Sequence, residues 1–159
     1  MMEVRRIPME QLGPLLEEQL QNGCAMLHVT GHSMLPMLRG GRDVVQLAAL
    51  YELPVQGDVL LYRRASGQYV LHRLIRMVDR DTCLCCGDNQ WQREFVPAAS
   101  VMARVERFCR NGKWIDCKRD KGYCHYTKIW TALFPVRRPL IAVRRLLGRL
   151  RGILWRERK

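Results

Sequence analysis

The chain has 159 residues, 48% of them apolar, and a formal net charge of +12, which suits one domain with a sizeable core. Ten Lys or Arg stand against a single acid, Glu157, between Thr127 and Lys159, so an anionic partner is expected at that end rather than over the whole surface. Seven cysteines, an odd number with no secretory leader ahead of them, argue against a disulfide framework. No run approaches the roughly 18 apolar residues that span a bilayer, so a cytoplasmic chain, at most peripheral at a membrane, is expected.

Residues 1–23 read as an N-terminal helical segment. The helix is expected over 9–22, with Pro14 in its first turn, Leu12, Leu15, Leu16 and Leu20 along one side, and Gly23 ending it. "CAMLHVTG" then reads as a strand that runs into "VTGHSMLPMLRGGRDVV". Short β-rich runs follow at 43–47, 58–64, 69–78, 82–86 and 101–109. "ASG" at 65–67 and "NGK" at 111–113 have hairpin-turn chemistry, the Asn-Gly pair being the stronger signal. The pattern turns helical near Tyr126. The expected fold is mainly β, with several short sheets over 24–118, a short N-terminal helix and a basic helical tail over 126–159.

Ser33 stands between a glycine-containing turn and a Met-x-Pro. A serine hydroxyl is a poor nucleophile until a base takes its proton, and His28 and His32 are too close in sequence to be obvious partners. His72 is the better candidate. In "QYVLHRLIRM" a strand places Val70, His72 and Leu74 on one face and Leu71, Arg73 and Ile75 on the other. An imidazole on an apolar face is desolvated, which favours its neutral, base-competent form. The strand leads through "TCLCC" to "GDNQ", where Asp88 could orient the imidazole as the acid of a serine triad does. Taken singly, each element has a bland reading: a turn serine, a core histidine, a Gly-Asp-Asn turn. Their order in the chain is the informative feature.

In that order "GHSMLPMLRGGRDVV", "GDVLLYRR", "YVLHRLI" and "GDNQ" resemble four consecutive boxes of the signal peptidase I and LexA-type serine peptidase superfamily, over about residues 24–116. The resemblance implies a signal-peptidase-like β domain with Ser33 as nucleophile and His72 as base. His72-Arg73 is similar to the His-Arg of the endoplasmic-reticulum and archaeal branch, where the bacterial branch has Lys-Arg. Gly87, Asp88 and Asn89 match the Gly-Asp-Asn box, and Glu94 is the nearest candidate for a further acid. The oxyanion and substrate side is implied around Gly31, Met34 and Pro36. Gly31 stands where some members carry a hydroxyl, so the hole would rest on backbone amides. The implied activity is that of a serine endopeptidase cleaving a peptide or a protein leader segment, with no cofactor or metal. The chain looks like a stand-alone member, with no room for a helix-turn-helix ahead of its first strand.

In "CLCC", Cys83 and Cys85 fall on one strand face and Cys86 on the other. Cys109, Cys117, Cys124 and His125 lack the tight pairs of a zinc ribbon, so no metal is expected. In the tail, Leu140, Val143, Leu147, Leu150 and Leu154 form a helical stripe, with Arg144, Arg145, Arg149 and Arg151 mainly off it. The tail could pack on the β domain, lie on an anionic membrane surface or contact nucleic acid. Trp130, Phe134 and Trp155 favour the membrane surface over a nucleic-acid groove. Two other functions compete with the peptidase: an inactive peptide-binding module of the same fold, and a basic membrane- or nucleic-acid-binding protein.

Overall fold

The computed structural model describes residues 9–137, 139 and 141–143. Helix α1, Met9–Gln21, is followed by β1 Cys24–His28, β2 Val44–Ala48, β3 Val59–Arg63, β4 Tyr69–Met77, β5 Thr82–Cys86, β6 Glu94–Pro97, β7 Val101–Arg110 and β8 Lys113–Asp116, then α2 Lys121–Ala132 and a 3-10 turn, Phe134–Val136. The mainly β class holds. The strands expected to form several short sheets are joined in one antiparallel sheet, in the order β1-β2-β7-β3-β4-β5-β6. β7 makes this continuity: along one edge it pairs with β2, and along the other first with β3 and then with β8.

Alternation along the strands gives the sheet two buried sides. Val59 and Leu61 of β3 join Leu47, Val105, Phe108, Leu16 and Leu20 in the larger core, so α1 packs on the β domain through its apolar side. Leu60 and Tyr62 face the other way, with Val70, Leu74, Cys83, Cys85 and Val96. Cys86 joins Ile75 and Leu84 in a third cluster, on the opposite strand face from Cys83 and Cys85 as alternation requires. Burial pushes the Cys85 thiol up to about 12, a value suited to packing rather than reaction.

Turn chemistry places the strands. The β7–β8 hairpin turns through Asn111 and Gly112, both at positive φ (51° and 78°) as a type I′ turn demands. β6 and β8 are strands that the apolar runs did not mark, being four residues each and, apart from the buried Val96, exposed or half-buried. Pro14, expected in the first turn, lies inside α1.

α2 begins at Lys121, ahead of the expected change near Tyr126, with Asp120 accepting the Tyr123 amide as N-cap. Its buried Tyr123 belongs to the larger core and Tyr126 packs against it, so the start of the basic segment docks on the sheet. Phe134 packs on Ile75, Leu84 and Cys86, and Arg137 is fully buried, its guanidinium over the Trp130 and Phe134 rings. Two of the aromatics expected at a membrane, Trp130 and Phe134, are thus half-buried and in contact with Arg137. Val143 of the leucine stripe is exposed; Leu140, Arg144, Arg145, Leu147, Arg149, Leu150, Arg151, Leu154 and Trp155 lie outside the described residues. Among the described residues no helix is long and apolar enough to cross a membrane.

Truncating Leu61, 1% exposed, should cost about 2–5 kcal/mol as Leu61→Ala. Leu53→Ala, at a position 63% exposed, should stay within about 0.5 kcal/mol. Urea denaturation of both variants checks the assignment of the core.

Candidate active site

Ser33 lies in the long connection of the β1–β2 hairpin, whose strands pair from Cys24↔Ala48 to His28↔Val44. The loop is closed at its base by Val29 N–H donating to Asp43 O (3.0 Å) and Gly41 N–H donating to Val29 O (2.9 Å). The buried Asp43 carboxylate accepts from the Arg39 amide and the Arg42 guanidinium. Burial would raise this carboxyl, but those donors outweigh it and hold it below its ordinary range. Gly40 lies so close to the 30–31 backbone that a Cβ there would meet Gly31 O at 2.3 Å.

Within this loop Met34, Met37 and Leu38 are buried in the larger core. The structure therefore corrects one expectation. Met34 is an anchor of the loop, and its side chain is not open to a substrate. Pro36 is exposed, Ser33 is half-buried, and Gly31 is exposed at φ 74°. Ser33 is presented over a plug of its own neighbours. Among the described residues no acceptor takes the Ser33 amide N–H, which leaves it available to a developing oxyanion.

The Gly87-Asp88-Asn89 turn after β5 meets this loop. Asn89 N–H donates to Ser33 O (2.7 Å), and Asn89 Nδ2 donates to His32 O (3.2 Å). Gly87 is required by contact: a Cβ on it would lie 2.7 Å from Ser33 O, 2.9 Å from Gln90 Oε1 and 3.1 Å from His72 Nε2. The serine loop and the imidazole thus converge on one point, and His72 turns Nε2 toward it. Ser33 Oγ and His72 are not hydrogen-bonded among the described residues, a looseness that unliganded sites often show.

His72 is 1% exposed, on β4 beside Val70 and Leu74. Its Nδ1 lies 3.0 Å from Tyr62 Oη and 3.2 Å from Glu94 Oε1. Tyr62 O–H donates to Glu94 Oε2 (2.8 Å), and the Arg64 guanidinium engages both carboxylate oxygens, its Nε at 2.9 Å from Oε2. The donor count sets the tautomer. The Tyr62 proton is committed to Glu94, so the hydrogen between Nδ1 and Oη belongs to the ring. Nε2 is then the bare nitrogen, on the side of Gly87 where the Ser33 carbonyl also lies. Burial lowers the His72 pKa to about 4, against the opposing pull of Glu94. Burial would raise the Glu94 carboxyl, but Arg64 and Tyr62 outweigh it and keep it below its ordinary range.

Asp88 does not take the place expected for it. It is fully buried and forked onto Arg73, with Nε–Oδ1 at 2.8 Å and Nη2–Oδ2 at 2.7 Å, and it accepts from Tyr126 Oη (3.1 Å). Arg73 also donates to Gly57 O (2.8 Å) and Thr127 Oγ1 (3.2 Å). The reason is strand alternation: His72 and Arg73 point to opposite faces, and the Asp88 carboxylate lies on the Arg73 face. Glu94 is the acid beside the imidazole.

No protein-family model and no curated protein matches this chain.

Tyr62 and Arg64 were not among the expected site residues. Alternation in "VLLYR" puts Tyr62 on the face of Leu60, and Leu60 pairs directly with His72; that register is set by strand pairing, not by local sequence. Among the described residues no three His, Cys, Asp or Glu side chains are grouped as metal ligands.

Asp88→Ala should destabilise the fold by about 3–5 kcal/mol, because it leaves the Arg73 guanidinium buried without its counter-charge. Glu94→Ala, at a side chain 23% exposed, should cost less. Thermal unfolding of the two variants tests the division of roles between the acids.

Proposed function

We propose that this chain is a serine endopeptidase in which Ser33 is the nucleophile and His72 the general base, acting on a peptide or a protein leader segment. The observation that carries this reading is the convergence of the Ser33 loop and His72 Nε2 at Gly87. The superfamily resemblance of "GHSMLPMLRGGRDVV", "YVLHRLI" and "GDNQ" supports it. The bare Nε2 takes the Ser33 proton as Oγ attacks the scissile carbonyl, and the Ser33 N–H stabilises the oxyanion that forms. The imidazolium then gives its proton to the leaving amine, and water releases the acyl group by the same route.

Asn89 acts through the loop, by fixing His32 and Ser33 from the backbone side. Glu94 faces Nδ1 and favours the charged ring that forms during attack. Asp88 holds the Gly87–Asn89 turn in place through Arg73.

Ser33→Ala should lower cleavage of an extended peptide library by about 10⁴-fold or more while leaving the fold intact. New peptide termini counted by mass spectrometry provide the readout. Equal cleavage by wild type and Ser33→Ala would remove Ser33 from the mechanism, and tight binding without cleavage by wild type would favour an inactive peptide-binding module.

The base must be neutral to act, and its pKa lies below the ordinary value, at about 4. Falling pH therefore leaves the base competent until pH nears 4, and kcat/KM should keep most of its value at pH 5.5. A histidine of ordinary pKa, about 6.5, would by then be mostly protonated. A kcat/KM profile from pH 3.5 to 8 separates the two, with an acid limb near 6.5 arguing against His72 as the base.

A further inference from the structure

We infer that the outward face of residues 129–143, on α2 and the segment after it, lies on an anionic lipid surface. Residues 121–143 divide by side. Tyr123 belongs to the larger core and Tyr126 packs against it, Phe134 packs on Ile75, Leu84 and Cys86, and Arg137 and Ile141 are buried. With the half-buried Trp130, these positions recur at spacings of three and four, the period of one helix side. The inward side is therefore taken by the sheet, and it holds the aromatics. The opposite side is apolar as well. Ile129, Val136 and Val143, seven residues apart in turn, are 46%, 51% and 55% exposed, and Ala132, Pro139 and Ala142 are exposed beside them. Every described exposed residue from 129 to 143 is apolar. A helix docked by one side ordinarily turns a polar side to water, so a continuous apolar face marks an interaction surface.

Charge selects the occupant. From Lys121 through Arg156 the sequence holds nine Lys or Arg and no Asp or Glu. Lys121 and Lys128 are exposed on the N-terminal side of the face. The apolar spacing runs on in the sequence through Leu147, Leu150 and Leu154, set among arginines. A second copy docked through this face would bring two strongly basic segments together, which like-charge repulsion opposes. A nucleic-acid backbone would meet the charge and leave the apolar side chains in water. An anionic headgroup layer answers both: Ile129, Val136 and Val143 leave water, and the flanking cations gain counter-charges. The reverse of the face is fixed to the sheet, so the segment rests on the bilayer through one side only.

Co-sedimentation of the full chain with phosphatidylcholine vesicles, with and without about one-third phosphatidylglycerol, tests this. The wild type should bind the anionic vesicles at low salt and the neutral ones at least about tenfold more weakly. It should be released as salt rises from about 0.05 to 0.5 M, because exposed charges are then screened. Ile129→Glu/Val136→Glu puts two carboxylates on the face and should weaken binding to the anionic vesicles about tenfold or more, with an unchanged circular dichroism spectrum. Leu53→Glu, at an exposed apolar position on the β2–β3 connection, should bind as the wild type does. Should the double variant not fold, Val143→Glu, the most exposed of the three positions, makes the same comparison with a loss of about threefold or more. Wild-type protein left in the supernatant at low salt would overturn the inference. Undiminished binding by the double variant would overturn it too, since the arginines alone would then carry the attraction. A dimer in sedimentation velocity that the double variant dissolves, or a DNA complex that it loses, with no vesicle binding, would give the face to those partners instead. Vesicle binding is read whether or not peptides are cleaved, so this inference and the peptidase assignment stand or fall separately.

Discussion

The buried pair between Arg73 and Asp88 is the constraint on which the site depends. Both side chains are fully buried, and neither is tolerable there alone, because an unpaired charge in a dry interior costs several kcal/mol. The fork of two hydrogen bonds fixes the β5–β6 turn to β4 in direction as well as distance. Asn89 and Gly87 occupy the same turn, one holding the serine loop by its backbone and the other admitting the imidazole. Burial would lower the Arg73 pKa, but Asp88 outweighs it and the guanidinium is held above its ordinary value. The guanidinium stays charged. The contribution of the pair is placement of the turn rather than net stability, since well-packed apolar groups of similar volume often do as well energetically.

On the other face of the same strand the electrostatics are arranged in the opposite sense. His72 is kept neutral by burial, and the Glu94 carboxylate beside its Nδ1 is itself held by Arg64 and Tyr62. Two adjacent residues of β4 thus carry opposite tasks, one permanently charged and one held uncharged. The pleat separates them, since successive side chains leave opposite faces of the sheet. A helix would place the two side chains about 100° apart, on neighbouring rather than opposite faces.

The serine loop solves a related problem. An exposed hydroxyl on a long hairpin connection would wander, and preorganisation is what a nucleophile needs. Here Met34, Met37 and Leu38 are sunk into the core, while Asp43 gathers the Arg39 amide and the Arg42 guanidinium at the loop's exit. The apolar residues around Ser33 belong to the support of the loop. That is the physical answer to a Met-x-Pro-Met-Leu run beside a candidate nucleophile, and it is why Met34 is core rather than substrate surface.

Much of the fold was legible in the chain itself. The runs at 58–64, 69–78, 82–86 and 101–109, and the Asn111-Gly112 turn, follow from alternation and local backbone preference, which neighbours a few residues away decide. The faces of β4 and of "TCLCC" were legible for the same reason. β6 and β8 were not, because four-residue edge segments carry too little apolar signal and form by pairing with a partner already in place. Ser33, His72 and Asn89 could be singled out by order along the chain, but their roles relative to Asp88 and Glu94 could not. Which acid meets the imidazole depends on strand register between β3 and β4 and on where the β5–β6 turn closes. Those are contacts between residues far apart in sequence, formed by packing. Sequence alone determined which residues had the chemistry; the tertiary structure decided that Glu94 and Tyr62 face His72 while Asp88 faces Arg73, because only the folded sheet sets which side of each strand meets which.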